Sequence, residues 1–282
     1  MKPAHDRRPM RVIGGRKTLL AAALLAGVLA ALLAALPAYA ELAGVAPRVD
    51  RTGFPAWYQD DTGARVNLCV DNRLCLGGDT RPNRSRPASP TVDANPRRPG
   101  LQPNMPDEAF YPIARAETEL DQGGRIRWRG VLEGAFSSPV PRDGRQITFT
   151  RVQVTGSDIN LAAYPAGTEF RFVTPYGEMT ATVNGDGTLE RGRVESPPGT
   201  KANGFTPPVT ETVTGYGPTF LRCNPAVPPA APAGFLGNPL VPHAIVGGDN
   251  GVNTFQVFEG LTPVSPLVSR FEIAGRCVQG TC

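Results

Sequence analysis

Past the first forty residues, this 282-residue chain contains one histidine, His243. It lies in the Gly/Pro-rich block Pro232 to Phe255, "PAGFLGNPLVPHAIVGGDNGVNTF". A nucleophilic hydrolase needs a base that touches a nucleophile and is itself held by a third group. His243 is the natural candidate for that base, but its neighbourhood is poor in nucleophiles. No G-x-S-x-G occurs, and Cys223 sits in "FLRCNP", outside any protease signature. A structural histidine opening the strand "HAIV" is the preferred reading, and a ligand or catalytic role is the alternative.

Paired carboxylates are the other route to hydrolysis, one as acid and one as base or nucleophile. Asp60-Asp61 and Asp107-Glu108 are the adjacent pairs. Both lie in turn-like contexts, where Asp commonly binds its own backbone. Asp249, in the loop Gly247 to Asn253, could offer oxygen to a cation. Asn184-Gly185-Asp186-Gly187 resembles the middle of a calcium loop. In that register Arg193 falls where the bidentate acid belongs, so a hairpin is the better reading. Trp57 and Tyr58, with Trp128, Tyr176 and Tyr216, could stack on sugar rings or fill a core. No metal or cofactor is expected.

Five cysteines limit the remaining chemistry. Cys69 and Cys75 are close in sequence, as are Cys277 and Cys282, so two local disulfides are expected. Cys223 is then the odd one, expected as an unpaired thiol, with an intermolecular bridge as the alternative. Neither pair has zinc-site spacing.

The N-terminus explains where such disulfides could form. Five basic residues from Arg7 to Lys17 precede the apolar run Leu19 to Leu36. Pro37-Ala38-Tyr39-Ala40 follows as a helix breaker and small-x-small site, the pattern a signal peptidase cuts. Residues 1–40 are therefore expected to be a signal peptide forming a helix, with cleavage after Ala40. An uncleaved signal anchor is the alternative and the only expected link to a membrane. Removing six basic residues and one acid leaves 23 basic against 24 acidic residues. The basic isoelectric point thus belongs mostly to the targeting segment and gives no support to nucleic-acid binding.

Beyond the signal, β patterning dominates. Residues 41–76 read as an N-terminal β segment. Residues 77–104 carry six prolines and five arginines with almost no large apolar side chains. They read as a long disordered Pro/Arg-rich linker. Residues 105–276 alternate short apolar-patterned strands with Gly and Pro turns. "AFYPIARAETEL" and "RIRWRGVLEGAF" flank Asp121-Gln122-Gly123-Gly124 as a hairpin. Thr174-Pro175-Tyr176-Gly177 has the composition of a β-turn. In "QITFTRVQV" the apolar phase changes between Phe149 and Val152, which predicts a bulge near Arg151 or a switch between sheets. Residues 277–282 form a Cys-containing tail. The expected fold is all-β, an antiparallel β-sandwich with Ig-like character.

Several blocks together resemble a group of secreted bacterial β-rich proteins without assigned activity, often met beside Ig-like modules. They are "GFPAWYQDDTGARVNLCVD", "DEAFY", "GRIRWRG", "ITFTRVQV", "FRFVTPYGE", "GPTFLRC" and the Pro232 to Phe255 block. The resemblance spans Gly53 to about Ala274, and the linker and the Cys277–Cys282 tail depart from it. It implies an exported β-rich protein and supplies no catalytic residue. The expected role is a non-enzymatic envelope or extracellular interaction module, with glycan or another envelope protein as partner. A carbohydrate-active hydrolase using paired carboxylates is the alternative, and a structural envelope protein a further one.

Overall fold

The computed structural model describes residues 42–47, 52–69, 74–75, 108–138, 141–190, 192–195, 204–210 and 216–282. The signal-peptide and linker expectations, at 1–40 and 77–104, lie outside the described residues.

The longest strands, of 12 residues each, combine a stretch of alternation or an open end with a run buried on both faces. We number the strands in chain order: β1 (Gly44–Val45), β2 (Tyr58–Gln59), β3 (Arg65–Asn67), β4 (Glu108–Glu119), β5 (Arg125–Phe136), β6 (Gln146–Ser157) and β7 (Glu169–Thr174). Then follow β8 (Gly177–Thr182), β9 (Arg193–Glu195), β10 (Arg222–Cys223), β11 (Ile245–Val246), β12 (Gln256–Glu259), β13 (Thr262–Pro263) and β14 (Glu272–Cys277). Among the described residues one short helix, α1, covers Pro207–Thr210. The chain is all-β and sandwich-like. The strands pair antiparallel in a large sheet ordered β1-β2-β3-β14-β4-β5-β6-β9 and a small one ordered β13-β12-β7-β8. A separate two-stranded ribbon joins β10 to β11.

The two larger sheets share one core. Trp128 of β5 lies 6.0 Å, ring to ring, from Tyr176 at the β7–β8 turn and 5.9 Å from Phe271. Phe172 of β7 stacks on Phe255. The N-terminal segment belongs to the same sheet and core. Its β3 pairs with β14, and Phe54, Tyr58 and Val66 are fully buried with the rest. The Cys277–Cys282 tail is tied to that strand too, since Val278 N–H donates to Arg65 O at 2.8 Å.

Turn chemistry follows residue type. Gly123 and Gly124 both have positive φ, as the turn between β4 and β5 requires. Pro175-Tyr176 closes the β7–β8 hairpin, with Thr174 facing Gly177. Asn184–Gly187 is also a hairpin turn: Asp186 Oδ1 accepts from Thr188 N–H and its hydroxyl at 3.0 and 2.6 Å.

The bulge expected near Arg151 is absent. β5 and β6 pair without interruption from Arg125↔Ser157 to Phe136↔Gln146. The apolar phase changes because β6 is covered on different faces at its two ends. Val152 and Val154 enter the shared core, while Ile147 and Phe149 join Ala135 in a second cluster on the sheet's outer face. The register shift in fact lies in β4, between Phe110 and Ile113. Pro112, with no N–H to give a ladder, sits inside it.

Candidate functional site

The outer face of the large sheet is where the fold brings chemistry together. Arg125, Arg127 and Arg129 alternate along β5 with the buried Ile126 and Trp128, so all three point away from the core. Farther along, from Gly130 to Ala135, every residue of β5 is buried. The outer face is thus open at its arginine end and covered at its apolar end.

Register builds two rows across the open end. Glu272 of β14 faces Arg115 of β4, which faces Arg129 of β5, which faces Gln153 of β6. Two residues along, Glu117 faces Arg127, which faces Thr155. Strands lie ~4.8 Å apart, so the first row spans about 14 Å, and the second runs about 7 Å from it. Pro242 and Arg270 add a wall from the loops, and the groove encloses about 610 Å³.

Four guanidiniums and two carboxylates line this groove. Glu117 clamps two arginines, Arg125 at 3.2 Å and Arg127 at 2.6 Å. Arg115 lies 3.9 Å from Glu272. Arg129 donates to the neutral Gln153 amide at 3.0 Å, and Arg270 to the Pro228 and Pro242 carbonyls.

At the border between the arginines and the apolar end stands Glu133, with 0% exposure. Its Oε2 is 3.3 Å from Arg151 Nη1, whose guanidinium also lies over the Phe149 ring. Burial still dominates. It pushes the Glu133 carboxyl up to about 8, helped by the nearby Glu108, and Arg151 and Arg129 offset only part of this.

The residues singled out from sequence lie elsewhere and are structurally engaged. His243 is 1% exposed, and both ring nitrogens are occupied. Nε2 accepts from Asn238 N–H at 2.9 Å, and Nδ1 donates to Pro229 O at 2.9 Å. Its backbone pairs with Phe271 in both directions. Cys223 is buried and free, with Sγ 3.3 Å from the same Pro229 O. Neither residue faces open space, so they do not form a nucleophile and base.

Asp60 is fully buried. It accepts from Thr62 N–H, the Thr62 hydroxyl, Ala64 N–H and, through Oδ2, Phe220 N–H. Asp61 accepts from the Thr219 hydroxyl. The two neighbours therefore serve separate structural contacts. Asp107 lies outside the described residues; its neighbour Glu108 ends beside Glu133.

Tyr58 is buried edge-on to Tyr111, and its hydroxyl donates to Phe205 O at 2.6 Å. Burial drives this phenol's pKa upward, as it does for Tyr176 and Tyr216 in the core. Trp57 is half-buried beneath the Arg65 guanidinium, 4.4 Å from its ring centre. Asp249 is exposed and opens a 3-10 turn, Asp249–Gly251, with its N–H on Pro175 O. No group of three acidic, histidine or cysteine side chains suited to a metal occurs among the described residues.

Disulfides join Cys69 to Cys75 and Cys277 to Cys282. The arginine groove and Glu133 were not legible because alternation along one strand does not give the register that aligns side chains across four strands. The usable signal was "RIRWRG", whose period of two puts three arginines on one face. No helix among the described residues is long and apolar enough to cross a membrane. No family model matches this chain, and neither does any curated protein or solved structure.

Proposed function

We propose that this chain is an exported, non-enzymatic interaction module of the cell envelope or extracellular space. The observation that carries the reading is the arginine groove, an open concave site on a rigid sheet. Three side chains singled out from sequence for hydrolytic chemistry, His243, Cys223 and Asp60, are instead bound into the fold. Two disulfides suit an oxidising compartment, as does the signal-like N-terminus. The resemblance to secreted β-rich bacterial proteins points the same way.

Fractionation and intact-mass analysis test the export step. The expected product begins at Glu41 outside the cytoplasm, and a full-length chain held in the cytoplasm would overturn it. Exposing the recovered protein to isolated envelope polysaccharides and proteins tests the module reading, with saturable binding expected.

A carbohydrate-active hydrolase remains the second reading because Glu133 and Glu108 form a carboxylate pair with one raised pKa. Against it, Glu133 is sealed from solvent. Release of reducing ends that Glu133→Gln abolishes would establish the hydrolase instead.

A further inference from the structure

We infer that the groove binds a uronate-bearing polysaccharide, gripping carboxylates with its arginines and hydroxyls with its neutral and acidic side chains. This rests on the module reading and names the ligand of the same site.

The first argument is charge placement. Arg115 and Arg129 stand directly opposite on neighbouring strands. Like charges in that position destabilise a sheet. Glu272 offsets part of this at Arg115, and a bound carboxylate beside Arg129 lowers the remainder, since a guanidinium fork suits a carboxylate bidentately. Arg127 and Arg270 extend the same positive field to the second row and the wall.

The second argument concerns hydroxyl donors. Glu117 and Glu272 lie among the arginines. A polyphosphate has no hydroxyl to offer the two acids and would be repelled by both. A chain with one carboxylate per sugar can place it on the arginines while its hydroxyls donate to the glutamates and Gln153. Thr155 adds a further hydroxyl partner. The row of about 14 Å accommodates more than one ring, which favours a polymer segment over a lone acid.

The third argument is what the groove lacks. Among the described residues, the one aromatic lining it, Trp128, is buried with its ring against Tyr176 and Phe271. Those residues offer no platform for stacking on a neutral sugar face, so charge and hydrogen bonds supply the affinity.

Calorimetric titration of the exported protein with a galacturonate tetramer tests this, with maltotetraose, poly-glutamate and polyphosphate as comparators. The tetramer is expected to bind, to weaken as salt rises, and to outcompete all three. Arg129→Gln and Arg127→Gln should each weaken it about tenfold. The melting temperature should stay near that of the parent, especially for Arg127, whose side chain is 60% exposed. Arg222→Gln, outside the groove, should bind as the parent does. Stronger binding of poly-glutamate would make the site a receptor for acidic peptide and overturn the inference. So would unchanged binding by both groove variants, or no uronate binding at all. If uronate fails while another envelope component binds, the module reading survives without this ligand. Cleavage of the tetramer would overturn the non-enzymatic reading and keep the ligand.

Discussion

Cys223 and His243 meet at a single carbonyl: Sγ lies 3.3 Å and Nδ1 2.9 Å from Pro229 O. The pairing looks like a thiol and its base, yet the oxygen stands between them. The hydrogen bond to Pro229 puts the imidazole hydrogen on Nδ1, leaving Nε2 as an acceptor for Asn238 N–H. The histidine thus joins the segment before β11 to two loops.

His243→Ala is therefore expected to destabilise the protein, by about 2–4 kcal/mol, from a lost acceptor and an opened cavity. His243→Gln keeps one donor and one acceptor and should recover part of the loss. Urea denaturation reads both. Groove binding by the folded variants should match the parent, and a variant as stable as the parent would show the ring bonds to be unimportant.

Thiol counting tests the cysteine arrangement. The native protein should react slowly with a thiol reagent, because Cys223 is buried. After unfolding without reductant, one thiol per chain should appear. Each disulfide closes a short loop, of sequence separation 6 and 5, so each should contribute about 2 kcal/mol. Three or more reactive thiols in the unfolded, unreduced chain would contradict the pairing.

Glu133 predicts how stability depends on pH. Its folded pKa, about 8, lies above the ordinary carboxylate value of 4.5 that applies on unfolding. Between those values the folded state holds the extra proton. Stability is then greatest below about pH 4.5 as far as this group is concerned, and falls as pH rises toward 8. Glu133→Gln should remove that slope. Its absolute effect has two opposing parts, since Arg151 loses a partner while a buried charge disappears. The difference between variant and parent, measured at pH 5.5 and 8.5, should shift by a few kcal/mol in the variant's favour at the higher pH. Parallel curves would mean that Glu133 is ionised in the fold at both values.

Asp60→Asn probes the contact between the Asp60–Ala64 turn and Phe220. The substitution sets an amide N–H₂ against at least one of the backbone N–H groups that Asp60 now accepts. A loss of about 2–3 kcal/mol is expected on thermal or urea unfolding. A neutral result would mean that the turn does not need its charged acceptor.

Features that depend on neighbours along the chain were legible in residue order. Strand period made the outer ends of β4 and β5 legible, because alternate residues must leave opposite faces. Gly123-Gly124 and Pro175-Tyr176 announced their turns through φ requirements and ring constraint, and cysteine spacing pointed to the two local bridges. Tertiary structure alone decided which faces became covered. A period of two says that Phe149 and Val152 oppose each other, and no local rule says that both will be buried, so continuous two-sided burial read as a bulge. Register aligned Arg115, Arg129 and Gln153 through neighbouring strands and added Glu272 to the row by a pairing across more than a hundred residues. The fold of the loop before β11 gave His243 its partners at Pro229 and Asn238, and packing closed solvent off from Glu133.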